Sequence, residues 1–154
     1  VEDRTYFHLV YGTRHTKGLR EFRGTEKRAF DEQNKVRVGA KQTARIEKSG
    51  QGELFAAAHQ PTAAPFADHR AEALRAGEGR VVATLRQRKR ILYEDLLATA
   101  LELPLFWESD LKDLLMKMRT AGRLTIEGMI PRERTPKDGH VVNGTFGFRV
   151  TAAK

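Results

Sequence analysis

Between Leu111 and Ile126 the hydrophobic period of the chain changes once, across a single glycine. Leu111, Leu114, Leu115 and Met118 recur at i, i+3, i+4 and i+7, one face of a helix. Gly122 follows, the residue type that ends helices in the left-handed conformation. Leu124 and Ile126 then alternate with Arg123, Thr125 and Glu127, the period of a half-buried strand. This spacing predicts a helix over about 109–121, capped by Ser109 or Glu108, with acids in its first turn. Its apolar face needs a second helix, and its strand needs a partner. Leu92, Leu96, Leu97 and Ala100 offer the helix, from about Val81 or Ile91 to Leu101, broken by Pro104. A last strand region from His140 to Val150 offers the partner, with Asn143-Gly144 readable as a tight turn inside it. Between the strands lies a basic loop, Pro131 to Gly139. Helix, helix, strand, basic loop, strand is the plan of a winged helix-turn-helix, with the helix before the wing as recognition helix.

Upstream the chain reads differently. Thr5 to Thr13 is rich in aromatic and β-branched residues and reads as a strand that is apolar on both faces. Few other strands are available to pair with it, so its own sheet is expected to be mostly missing. From about Lys17 to Lys48 a long basic helix is predicted, with Leu19, Phe22, Ala29, Phe30, Val36, Ala40 and Ala44 roughly along one stripe. The stripe is strong to Phe30 and thin beyond it. Ser49 to Pro65 reads as a linker, followed by a short helix over Phe66–Ala76 that Gly77-Glu78-Gly79 ends. The expected fold class is α+β: an orphan strand and a long basic helix over 1–48, a flexible linker over 49–79, and the winged-helix module over 80–150.

The charge narrows the choice of partner. The chain carries 28 Lys and Arg against 20 Asp and Glu, a net of +8. Residues 14–50 hold +6, 80–90 hold +5 with no acid, and 116–154 hold +5, whereas 91–115 hold −5. Such alternation makes patches, and basic patches favour a polyanion; solvated helix faces produce the same pattern. The expected contacts to nucleic acid are the basic run Arg86, Arg88, Lys89 and Arg90, then Lys112, Arg119 and Arg123, and on the wing Arg132, Arg134, Lys137 and His140, spaced to point outward. Glu108, Asp110 and Asp113 crowd the end of the helix that usually meets bases, and carboxylates there repel phosphate. A winged helix that docks a protein is therefore the competing reading.

Gln51-Gly-Glu-Leu-Phe55 sits in the linker and resembles the Gln-x-x-Leu-Phe peptide by which bacterial proteins dock on the replication sliding clamp. Leu54 and Phe55 would fill an apolar pocket and Gln51 would anchor; the same pair could staple the linker to its own fold. The chain has no cysteine, which excludes disulfides, thiolate catalysis and Cys-ligated metal. Its five histidines have no ligand spacing, so no metal site is expected. No P-loop, Gly-x-Gly-x-x-Gly or Gly-x-Ser-x-Gly motif appears, and no pair of catalytic carboxylates stands out. We expect no self-sufficient active site and no cofactor. No run of about 18 apolar residues is present, and no leader sequence is recognisable. The expected setting is cytoplasmic, with no membrane partner.

Tyr6-Phe-His-Leu-Val-Tyr-Gly-Thr-Arg-His-Thr-Lys-Gly-Leu19 resembles the closing strand and turn of the three-Cys-motif partner proteins (TcmP). There, a strand of the type Leu-Val-Phe-x-Thr-x-His-x-x-Gly-Leu ends a methyltransferase-like Rossmann domain. The likeness continues through the basic helix, Gly50 to Phe55, and the segment around Glu108–Lys137, so it spans roughly residues 5–140. It implies a C-terminal accessory module of a methyltransferase-like protein, beside a neighbouring three-Cys-motif iron–sulfur protein as possible partner. The cofactor loop and acidic ribose ligand of that domain would lie upstream of Val1, which lacks an initiator Met, so the chain is expected to be a fragment. No catalytic or cofactor residue transfers to it. Thr13, Arg14 and His15 are the positions nearest the rim of the missing sheet.

Overall fold

The structure, a computed structural model, describes residues 12–49 and 67–145. The expected strand over Thr5–Thr13 lies almost wholly outside the described residues, as do the linker segment Gln51–Phe55 and the part of the last strand region beyond Thr145. In chain order the elements are α1 (Thr16–Ser49), α2 (Ala67–Arg88), β1 (Arg90–Leu92), α3 (Tyr93–Leu101), α4 (Glu108–Thr120), β2 (Leu124–Glu127) and β3 (Val141–Gly144).

The segment that switches period folds as its pattern requires. Leu111, Leu115 and Met118 are buried along α4, and Leu114 packs at their edge. Gly122 has φ +68, Gly122 N–H donates to Arg119 C=O at 3.0 Å, and Arg123 N–H to Met118 C=O at 2.9 Å. These two bonds form a Schellman motif, which satisfies the last carbonyls and turns the chain into β2. Leu124 and Ile126 face the core while Thr125 and Glu127 face out. The N-cap is Trp107, one residue earlier than expected: its N–H donates to Asp110 Oδ2 at 2.7 Å.

Three predicted features are corrected. First, Gly77 and Gly79 do not end a helix; α2 runs through both to Arg88. Gly77 is buried there, and a Cβ at this position would lie 2.2 Å from the ring of Phe106. The glycine serves packing rather than termination: it lets a fully buried phenyl ring sit against the helix backbone. Second, of the two starts read for the helix ending at Leu101, Val81 is wrong, while Ile91 is within two residues of the observed start, Tyr93. After α2 the chain turns through Lys89, at φ 55, into the three-residue strand β1 before α3 begins. Third, Asn143-Gly144 is not a turn. Both residues are in β3, the central strand of an antiparallel sheet of order β1-β3-β2, with Asn143 opposite Arg90 on one side and Thr125 on the other.

The inner face of the sheet, Ile91, Val142, Leu124 and Ile126, closes over the helices. Val81 and Leu85 of α2, Tyr93, Leu96, Leu97, Ala100 and Leu101 of α3, Phe106, and the α4 residues complete one core. Each of these large side chains removes roughly 1.5–3 kcal/mol worth of apolar surface from water. The α+β class is therefore observed: among the described residues there are four helices and a small three-stranded sheet. Among the described residues no helix is long and apolar enough to cross a membrane.

α1 docks on this core through its first half. Leu19 packs at the edge of the cluster, and Arg23 is buried, its Nε donating to Leu101 C=O at 2.9 Å and its Nη2 to Glu102 C=O at 3.3 Å. A helix end leaves carbonyls without partners, and here a guanidinium from another helix supplies donors. Glu26, paired with Arg23 at 2.7 Å, also accepts from Trp107 Nε1 at 3.1 Å and Leu105 N at 3.3 Å. Phe30 meets Trp107 edge to face at 5.7 Å. Beyond Phe30 the stripe is thin, as expected: Val36 is 62% exposed.

Candidate nucleic-acid interface

Apart from Lys112, the cations expected to meet a polyanion sort into two groups at opposite ends of the sheet. The first group forms where β1 and β2 begin. Gly144 N–H donates to Lys89 C=O at 2.8 Å, and Thr145 N–H donates to Arg123 C=O at 3.0 Å. The end of β3 thus lies between the basic run and the α4–β2 turn. Adjacent strands are about 4.8 Å apart, so Lys89 and Arg123, one strand to either side, are brought to within roughly two strand spacings. Arg86 and Arg88 are in the last turn of α2, and Lys117 and Arg119 in the last turn of α4. In both places the cations also complement a negative helix end, a purely structural use of the same charge.

These groups differ in how far they are engaged. Arg88 and Lys89 are exposed, with no ion pair among the described residues. Lys117, read as exposed on the helix but not among the expected nucleic-acid contacts, shares that state; its clue was its place two residues before Arg119 in the last turn. Arg86 and Arg123 are exposed but have partners within the fold. Arg119 Nη1 lies 3.5 Å from Met129 Sδ. Arg90 pairs with Glu127 at 3.0 Å on the outer face of the sheet, where Asn143 Nδ2 also donates to Glu127 at 2.9 Å. Arg90 first and Asn143 second hold the Glu127 carboxyl below the usual carboxylate range. So exposed an ion pair is worth little, and its arginine can exchange partners readily.

The second group sits in the loop between β2 and β3. Arg132 and Arg134 are exposed, with no ion pair among the described residues. The expectation of an outward-pointing side chain is corrected for His140, while Lys137 is exposed but paired. His140 is buried, its Nδ1 accepting from Lys137 N–H at 3.0 Å and its Nε2 lying 3.4 Å from Glu133. Lys137 Nζ pairs with Glu133 at 2.9 Å, and this bond with Ile130 N–H keeps the Glu133 carboxyl below its ordinary range. Gly139 N–H donates to Glu94 of α3 at 2.9 Å. Polar bonds therefore fold the loop back on the body; Arg132 and Arg134 are presented without an ion pair among the described residues, and Lys137 is exposed but paired with Glu133.

Lys112 belongs to neither group: it pairs with Glu108 at 2.8 Å. The three acids at the start of α4 are treated unequally. Glu108 also lies 3.1 Å from Arg20 Nε, off the line of its N–H, and accepts from Tyr93 Oη at 3.3 Å. Burial, then Glu108, pushes the Tyr93 phenol far above its ordinary value, so it stays protonated and donates. Asp110 accepts from Arg70 Nη2 at 2.5 Å; Arg70 also donates to Leu105 C=O at 2.6 Å and stacks on Trp107, 3.9 Å from the ring centroid. Asp113 is exposed, in a groove of about 490 Å³ between α2 and α4 that also holds Glu78, Lys117 and Arg123. Thr13, Arg14 and His15 border a separate cleft of about 650 Å³ beside Glu102 and Pro104. No family model, curated protein or solved structure matches the chain.

Proposed function

We propose that this chain is a nucleic-acid-binding module whose binding is led by phosphate contacts. One observation carries the reading: the hydrogen bonds from Gly144 to Lys89 and from Thr145 to Arg123 bring two basic segments, remote in sequence, to one end of the sheet. Arg88, Lys89 and Lys117 stand there without ion pairs among the described residues. Two of the acids nearest the start of α4, Glu108 and Asp110, are neutralised by Arg20, Lys112 and Arg70, so the objection that carboxylates repel phosphate is weakened. The winged-helix reading is part of the proposal. The order α2, β1, α3, α4, β2, β3, with β3 between β1 and β2, supports it. On that reading α4 is the recognition helix and the Arg132–Arg134 loop is the wing. The resemblance to the three-Cys-motif partner proteins would make the module an accessory that presents nucleic acid to a methyltransferase-like domain.

The test is fluorescence anisotropy with labelled duplex DNA, single-stranded DNA and duplex RNA at about 50 and 200 mM salt. Affinity for at least one ligand is expected to fall by orders of magnitude between the two salts. Binding that ignores salt, or no binding to any of the three at low salt, overturns the reading.

A further inference from the structure

In a helix-turn-helix the N-terminal residues of the recognition helix reach the base edges. In this chain that end is occupied. α1 lies against it: Arg20 approaches Glu108, Lys27 Nζ reaches Ser109 Oγ at 3.5 Å, and Phe30 abuts Trp107, the N-cap of α4. Arg20 also spans to the loop, donating to both oxygens of Asp138 at 3.0 and 2.7 Å. That pairing holds the Asp138 carboxyl below its usual range. From the other side Arg70 of α2 grips Asp110 and stacks on Trp107. The first turn of α4 is therefore walled by two helices and fastened by Arg20, Lys27 and Arg70. The cations on which the proposed function rests, Arg88, Lys89, Lys117, Arg132 and Arg134, lie elsewhere, towards the other end of α4 and in the loop.

Resting on the proposed function, we infer that the module grips the backbone of its nucleic acid without reading base sequence, because α1 closes the base-reading end of α4. Phosphate contacts give affinity and register but carry no sequence information. With the N-terminal turn of α4 kept out of the major groove, the exposed cations left to meet a ligand, Arg88, Lys89, Lys117, Arg132 and Arg134, are placed for phosphate contacts. The Arg20 clamp further ties the loop to α1, so α1 and the loop would meet a ligand as one surface.

The test is selection with the full chain from duplex DNA and duplex RNA pools that carry a randomised centre, at about 50 mM salt. No consensus is expected, and all-A·T and all-G·C duplexes should differ by less than about fivefold, the least that one read base pair confers. Hydrogen exchange of the complex should show new protection at 86–90 and 117–123 and none at 108–111. A recovered consensus, a larger preference between duplexes, or new protection at 108–111 overturns the inference while leaving phosphate-led binding intact. Retention of no member of either pool overturns the inference, and if single-stranded DNA also fails to bind at that salt the proposed function goes with it.

Discussion

Two glycines two residues apart in α2 show how far one position differs from its neighbour. Both weaken a helix by propensity, each by about 1 kcal/mol relative to alanine. Gly79 is exposed, with nothing within 4 Å of a Cβ, so Gly79→Ala should stabilise the protein by up to about 1 kcal/mol. Gly77→Ala drives a methyl group into the Phe106 ring and should cost about 1–3 kcal/mol instead. Urea unfolding of the two variants measures both signs. Tyr93 makes a second prediction. Its phenol is raised mainly by burial, so the folded state holds the proton more tightly than the unfolded state. The stability this contributes is complete below the unfolded value near pH 10 and lost as pH rises beyond it. Tyr93→Phe has no such proton, and its unfolding midpoint should fall less between neutral pH and pH of about 11 than that of the unsubstituted protein.

α1 is an element held at one end. Its first half inserts Arg23, Glu26 and Phe30 against the turn between α3 and α4. Arg23→Ala strips donors from Leu101 and Glu102 and unpairs Glu26, and should cost about 3 kcal/mol. Trp107 is the chain's single tryptophan and touches Phe30, Lys27 and Arg70. Its emission therefore reports α1 docking directly: in Arg23→Ala it should shift to the red before global unfolding begins. An unchanged Trp107 spectrum would mean that Phe30 and Glu26 hold the helix without Arg23. The stripe on α1 was legible as far as Phe30, because apolar spacing is a sequence property. The role of Arg23 was not, because a buried arginine is distinguished from a solvated one only by carbonyls contributed from another helix.

For the whole molecule, the two cation groups divide the expected binding. Replacing Arg88 and Lys89 by alanine should lower the salt slope by roughly one per cation, as should replacing Arg132 and Arg134. If one pair alone removes the slope, the ligand follows a single end of the sheet; equal losses mean that it runs along the body from α2 to the loop. Anisotropy titrations at several salts separate these outcomes.

Much of the module could be read without coordinates. The change of period at Gly122 made α4, its cap and β2 unavoidable, because side-chain spacing and a left-handed cap are local requirements. The excess of positive charge and its segments were likewise present in the residues themselves. Tertiary structure decided what local rules cannot. It carried α2 through Gly77 because Phe106, 29 positions away, needed that space. It made Asn143-Gly144 a central strand by giving it partners on both sides. It buried His140 and paired the exposed Lys137 with Glu133. And it joined Lys89 to Arg123 through β3 while placing α1 over the start of α4. Periodicity and capping depend on residues within a turn or two of one another. Which cation stays unpaired depends on who its neighbours become after the chain has folded.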